Sequence, residues 1–292
     1  MRVLASLLAV VGVVAAIPPA ATAPPAPPSA HPAPDSTPTG TSSFAAFGVG
    51  RSSALVVPAF EDLEITNLIA TLDRLLADER NPARWPDHAR DVLWQFARRL
   101  QSGLLGPGQE ARVLRHLGRI AAERPEAAPV VERSRRMIQQ LSIGKVAPEI
   151  IGTDLEGRQF RLSDYRERAV ALVFSAEWCA ICKTQWPYER FLLEQYEGWP
   201  FALLGVETGT TREAALQKQV ENRLPHRAWW DEPGEGAPNG QIAADWHVVG
   251  WPATYLIDGN GIIRFVDPRQ EDLLRGVRQL VDEQVDRDAR RR

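Results

Sequence analysis

The sequence predicts an α/β domain in its second half, preceded by an all-α helical module. Three observations carry that reading. Apolar residues recur at the 3.6-residue helical period from about Phe60 to Leu141. From Lys145 the pattern changes to short continuous apolar runs separated by helical stretches, as in a sheet covered on both faces. The first long run leads into Trp178-Cys179-Ala180-Ile181-Cys182, which holds the only two cysteines of the 292-residue chain.

In chain order, residues 1–23 read as a signal peptide or anchor. Arg2 precedes an apolar run from Val3 to Ile17, and the small residues Ala21-Thr22-Ala23 follow. The run is shorter than the roughly 20 residues of a full span. A cleaved signal and an uncleaved anchor both remain open, whereas a bacterial lipid anchor would need a cysteine beside the run. Residues 24–58, rich in Pro, Ala and Ser, are expected to form a disordered tether, because they carry too little apolar surface to offset ordering entropy. Either a spacer above a membrane or a leader without consequence fits that composition.

Residues 59–143 form the helical module. Its first stripe is Ile65, Leu68, Ile69, Leu72, Leu75 and Leu76. The second, after the start signal Pro86-Asp87, uses Leu93, Phe96, Ala97 and Leu100. The third uses Val113, Leu114, Leu117, Ile120 and Ala121, between Pro107-Gly108 and Pro125. The fourth uses Val130, Ser134, Met137, Ile138 and Leu141, ending near Gly144. Short connections predict antiparallel neighbours. Trp85 and Trp94 read as core or rim residues. A packing scaffold and a docking or dimerisation module are both open for this segment.

Residues 144–286 alternate strands and helices. Ala169–Ser175 and Phe201–Val206 read as buried strands, with a helix from the cysteine pair to about Glu197. A helix around Arg212–Asn222 and a short strand near Ala228–Trp230 follow. Ala253–Ile257 and Ile262–Phe265 then make a hairpin around Asp258-Gly259-Asn260-Gly261. Leu273–Val285 is the closing helix, and residues 287–292 are a charged tail.

Two thiols separated by two residues are the sequence form of a reversible dithiol/disulfide centre. If the pair opens a helix, Cys179 lies at its N-terminus, where free N–H groups and the helix dipole favour a thiolate. Lowering a thiol pKa from about 8.5 to about 7 makes half of it reactive at neutral pH, a difference of roughly 2 kcal/mol. An exposed Cys179 would then attack a partner disulfide, and a more sheltered Cys182 would resolve the mixed disulfide. The rival readings are a zinc half-site and an inert buried pair. Zinc needs four ligands, and His31, His88, His116, His226 and His247 are scattered singly.

Several further segments join the cysteines in one order: Val146-Ala147-Pro148-Glu149, Gly157 with Leu162-Ser163-Asp164-Tyr165, Ala176 to Lys183, Pro187, and Gly250-Trp251-Pro252-Ala253-Thr254. Together they resemble the thioredoxin-fold domain of the exported TlpA-type reductases, in the redoxin (thiol-specific antioxidant) superfamily. The resemblance covers about Lys145 to Val285 and leaves out the helical module. It implies a thioredoxin-like α/β fold, a central mixed sheet flanked by helices, and thiol–disulfide oxidoreductase activity on protein substrates. It implies no cofactor beyond the Cys179–Cys182 disulfide, an upstream thiol electron donor, and a periplasmic site or the outer face of the cytoplasmic membrane. Pro252 matches the family's cis-proline, with Trp251 and Trp178 flanking the substrate, and Pro187 falls where the family kinks its active-site helix. Lys183, Gln185 and Glu177 take supporting positions.

Two positions depart from the family pattern. Val173 and Gln185 stand where relatives carry acids proposed as proton acceptors for the resolving thiol, so resolution is expected to be slower than attack. The span from Val206 to Ile257 has room for one helix and a loop, which favours a reductant over an oxidant with a large helical insertion. A peroxiredoxin-like peroxidase is the alternative, but Ala176 and Leu172 replace its hydroxyl residue and proline. Copper handling would need more than His247. The formal charge of −3, with 34 basic residues dispersed among 37 acidic ones, gives no nucleic-acid footprint.

Overall fold

The computed structural model describes residues 54–77, 85–234 and 240–291. The apolar run at 1–23 and the tether up to residue 53 lie outside the described residues, as does the side chain of Trp85. Among the described residues no helix is long and apolar enough to cross a membrane.

Among the described residues four α-helices come first: α1 (Asp62–Leu76), α2 (Trp85–Gln101), α3 (Pro107–Glu123) and α4 (Ala128–Leu141). They form because each carries one apolar stripe. Ile65 and Leu72, Leu93 and Leu100, Val113 and Leu117, and Met137 and Ile138 meet in one core. Burying each such side chain contributes roughly 1.5–3 kcal/mol. Helix α2 starts at Trp85, before the Pro86-Asp87 signal, because a proline in the first turn removes only an N–H that has no helical partner. The Gln101 side chain donates to the carbonyls of Met137 (3.3 Å) and Leu141 (3.2 Å), closing the end of α4.

The second half is built on a five-stranded mixed sheet in the order β5-β4-β3-β6-β7. Its strands are β3 (Ala169–Ala176), β4 (Phe201–Thr208), β5 (Arg227–Trp230), β6 (Ala253–Ile257) and β7 (Ile263–Val266), after a small β1 (Ile151–Thr153)/β2 (Gln159–Arg161) hairpin. Strand β3 pairs in parallel with β4 and antiparallel with β6, and all eight of its residues are buried. Helices α5 (Trp186–Gln195), α6 (Arg212–Glu221), α7 (Gln241–Asp245) and α8 (Glu271–Arg291) complete it. One face of the sheet packs Leu172, Phe174, Trp246 and Tyr255; the other packs Val173, Leu192, Leu203 and Leu274. The mixed sheet flanked by helices, after an all-α segment, is the predicted fold class.

Three boundaries differ from expectation. Leu55 and Val57 pack on the sheet core and Pro58 accepts a hydrogen bond from the Leu104 amide, so the expected tether ends before residue 55. Helix α8 runs through the expected 287–292 tail to Arg291, because no breaker interrupts it and Gln284–Asp288 and Arg291–Glu167 contacts hold its last turns. Between β4 and β6 a second helix, α7, appears where one helix and a loop were expected. Asp231 organises it by accepting from the amides of Ile242 (2.8 Å) and Ala243 (2.9 Å).

The two halves are tied beside the sheet's edge. Arg98 on α2 forms an ion pair with Asp267 and donates to the Tyr255 hydroxyl. Asp267 in turn accepts from the Thr254 amide at 2.9 Å, and Lys145 pairs with Glu110 on α3 at 2.7 Å.

Candidate active site: a bridged cysteine pair at the end of the central strand

Strand β3 delivers the chain to Ala176 in the middle of the sheet, and the cysteines follow within one turn. The Cys179 amide donates to the Ala176 carbonyl at 3.1 Å, and Cys179 and Cys182 are joined as a disulfide with 5.3 Å between their Cα atoms. The expected α-helix from Cys179 is not there. Cys182–Thr184 is a 3₁₀ turn, with Gln185 N–H donating to the Cys182 carbonyl at 3.0 Å, and α5 begins only at Trp186. Pro187 is the reason: without an N–H, and with its ring against the carbonyl four residues back, it cannot sit inside a continuous helix. Pro187 therefore opens α5 rather than kinking it. Cys179 gains its stabilising donor locally instead, because the Cys182 amide points at Cys179 Sγ from 3.1 Å. In the reduced protein a thiolate there would keep that donor, which favours the charged form.

Burial corrects a second expectation. Cys179 is 5% exposed and Cys182 2%, so both are buried in the bridged state and Cys179 lacks the expected exposure. Both sulfurs pack with Ala176 beneath Trp251. Trp178, 54% exposed, meets Trp251 edge-to-face with centroids 5.3 Å apart. The Trp251–Pro252 peptide bond is cis. Pro252 is buried, and its carbonyl accepts from Arg269 at 2.6 Å. Among the described residues, the backbone of Val249, Gly250 and Trp251 makes no hydrogen bond, leaving an open edge beside the disulfide.

The supporting residues separate. Glu177 is turned away from the sulfurs and accepts from the Thr210 amide at 2.7 Å and from its hydroxyl. That clamp ties the end of β3 to the loop after β4, and a Cβ at Gly209 would fall on the Glu177 carboxylate. Gln185 is buried, with Oε1 accepting from the Gln270 amide at 3.2 Å, so it anchors the start of α8. Lys183 is exposed beside the Trp186 ring.

A buried polar group centred on Lys218 carries residues that the sequence reading does not single out. Lys218 on α6 donates to Glu207 at 2.5 Å and to Ser175 at 3.2 Å, and stands over Trp186. Burial, and then the Glu207 charge, raises Glu189 to about 8. Burial also raises Glu207, with Lys218 opposing. His226 is pushed down to about 3 by burial and then by Lys218. Glu189 could have been found from spacing, since Trp186, Glu189 and Leu192 share the buried stripe of α5. Glu207 and Lys218 carry no such signal. Among the described residues no group of three or more His, Cys, Asp or Glu is gathered for a metal.

Residues 143–266 match the AhpC/TSA family. A protein named thiol-disulfide oxidoreductase ResA from Geobacillus kaustophilus is 32% identical over 124 residues, covering 42% of this chain and 68% of that protein. The chain is a thiol-disulfide oxidoreductase of the AhpC/TSA family. A thiol:disulfide interchange protein DsbE from Xylella fastidiosa is 30% identical over 140 residues, covering 44% of this chain and 61% of that one. Among solved structures, the thioredoxin domain of a Bacteroides vulgatus thiol-disulfide oxidoreductase superposes with a TM-score of 0.43 at 25% identity, covering 49% of this chain and 99% of that chain.

Proposed function

We propose that this oxidoreductase works outside the cytoplasm and reduces disulfides in protein substrates, with Cys179 as the attacking and Cys182 as the resolving thiol. The observation that carries the reading is the bridged Cys-x-x-Cys at the tip of the central strand, under Trp251 and beside the open Val249–Trp251 backbone. An extended substrate segment can pair with that edge and present its disulfide to Cys179.

The exchange balances as follows. The Cys179 thiolate attacks one substrate sulfur, forming a mixed disulfide and expelling the other substrate sulfur as a thiolate, which takes up a proton. Cys182 loses its proton and attacks Cys179 Sγ, releasing the second substrate thiol and closing the Cys179–Cys182 bridge. Two electrons pass from the dithiol to the substrate. The bridged form then needs an upstream thiol donor to restore it. In the reduced enzyme, cleavage of the bridge frees Cys179 Sγ beside the exposed Trp178.

The reducing direction is supported by the span between β4 and β6. It holds α6, β5 and a five-residue α7, well short of the large helical insertion of dedicated oxidants. Export is supported by Arg2, the apolar run Val3–Ile17 and the Pro-rich stretch after it, which serves as spacer or leader. Residues 144–286 then act as the redox domain, with the helical module 59–143 ahead of it.

A glutathione redox titration together with a Cys182→Ser variant tests the proposal. The expected midpoint lies below about −200 mV, and the variant should accumulate a mixed disulfide on Cys179. A midpoint near about −120 mV would reverse the direction. Peroxide turnover faster than disulfide reduction would assign a peroxidase instead.

A further inference from the structure

A cleft of about 1070 Å³ lies between the Val249–Trp251 loop and helix α4 of the four-helix segment. Trp251, which covers the cysteines, lines it together with Val249. The facing wall is α4, through Arg133, Arg136 and Gln140. This volume is far larger than a small disulfide needs, and it exceeds the ordinary range of small-molecule pockets.

The wall is held in register with the redox loop. Arg98 of α2 grips Asp267, which accepts from Thr254, two residues past Pro252. Gln101 of the same helix binds the last carbonyls of α4. The cleft is therefore one fixed surface built from both halves of the chain.

Its charges are ordered by wall. On the opposite side, Glu149 accepts from the amides of Ile150 and Ser163, and Asp245 accepts from Gln241. On α4, Glu132 is shared between Arg135 and Arg136, while Arg133 has no ion-pair partner among the described residues. The cations reach across: half-buried His247 is held below its usual pKa by burial and then by Arg133 and Arg136, with Asp245 opposing. A polypeptide lying in the cleft thus meets Arg133 and the Arg136–Glu132 pair on the α4 flank, and Glu149, Asp245 and the open Val249–Trp251 backbone on the other, so Arg133 is the cation left for an acidic side chain.

We propose that the α4 face is the second wall of the substrate site, seating the polypeptide that flanks the target cysteine and favouring acidic side chains on the residues that face Arg133. This rests on the disulfide-exchange reading above and adds where the substrate chain runs and what it carries.

Two measurements on the full chain test it. In the first, a Cys182→Ser protein is joined through Cys179 to a cysteine peptide bearing benzoylphenylalanine three residues away, and the photo-cross-link is mapped. Attachment within residues 129–140 is expected; attachment confined to other faces overturns the proposal. In the second, two disulfide peptides with Asp-rich or Lys-rich flanks are compared by kcat/KM. Reversing both charges, Arg133→Glu with Arg136→Glu, should shift the Asp-to-Lys preference about tenfold toward Lys, and roughly 1 M salt should erase most of the shift. The ratio is insensitive to a general loss of active protein. An unchanged ratio overturns the proposal. Failure of Cys179 to form any mixed disulfide overturns the exchange reading and this one with it, whereas mixed disulfides that cross-link elsewhere sink only the wall.

Discussion

Replacing Glu189 by Gln should flatten the pH dependence of stability. Glu189 is buried on α5, and its carboxyl titrates at about 8 in the folded protein against 4.5 for an ordinary glutamate. The folded state therefore holds this proton more tightly than the unfolded state. As pH rises past 4.5 the unfolded chain releases the proton first, so stability falls, and it goes on falling until pH passes about 8. Linkage puts the cost of this one group at about 1 kcal/mol at pH 5, about 3 at pH 7 and about 5 at pH 9. Glutamine is neutral throughout and nearly the same shape. The difference between variant and parent should thus grow by about 4 kcal/mol from pH 5 to pH 9, in favour of the variant. Other groups titrate in both proteins. Glu207, also raised by burial, loses stability with rising pH, whereas neutral buried His226 gains it between about 3 and 6.5. His226 largely cancels in the difference, whereas Glu207, whose charge acts on Glu189, contributes part of it. Urea unfolding of the oxidised proteins at one-unit pH steps measures it. Parallel stability profiles for the two proteins would refute the assignment of a buried, protonated Glu189.

Lys218→Met removes the cation that faces Glu207 and the donor to Ser175, and should cost about 3–5 kcal/mol at pH 7 by thermal unfolding, with much of the loss recovered when Glu207→Gln is added. A loss under about 1 kcal/mol would contradict a dry, paired site. Gln185→Glu keeps the acceptor for the Gln270 amide and places a carboxylate one turn from Cys182, so the mixed disulfide on Cys179 should decay faster in stopped-flow traces. If the lifetime is unchanged while fold and potential are preserved, another group takes the Cys182 proton.

Much of the fold was readable because local period and burial coincide. Ile65, Leu72, Leu93 and Leu117 recur at helical spacing and all reach one core. Ala169–Ser175 reads as a fully buried run, and it became the strand with neighbours on both sides. The cysteine pair and the Trp251-Pro252 turn were legible as short motifs. Where local signals compete, the reading slipped: Pro187 broke the expected helix into a 3₁₀ turn and a later α5, and the charged tail continued as helix through pairing with Glu167.

The sequence by itself determined the order of the long helices and the main sheet strands, the position of the cysteine pair and the chemistry its two sulfurs can perform, since these depend on neighbours within a few residues. Tertiary structure decided what surrounds that disulfide. Glu207, Lys218 and His226 look like ordinary surface residues in the chain, and although spacing puts Glu189 on the buried stripe of α5, only the packing of α5 and α6 on β4 takes the four out of water and forces them on one another. The α4 wall facing Trp251 likewise arises from contacts between residues more than a hundred positions apart. Desolvation and charge coupling act through space, and no spacing along the chain encodes them.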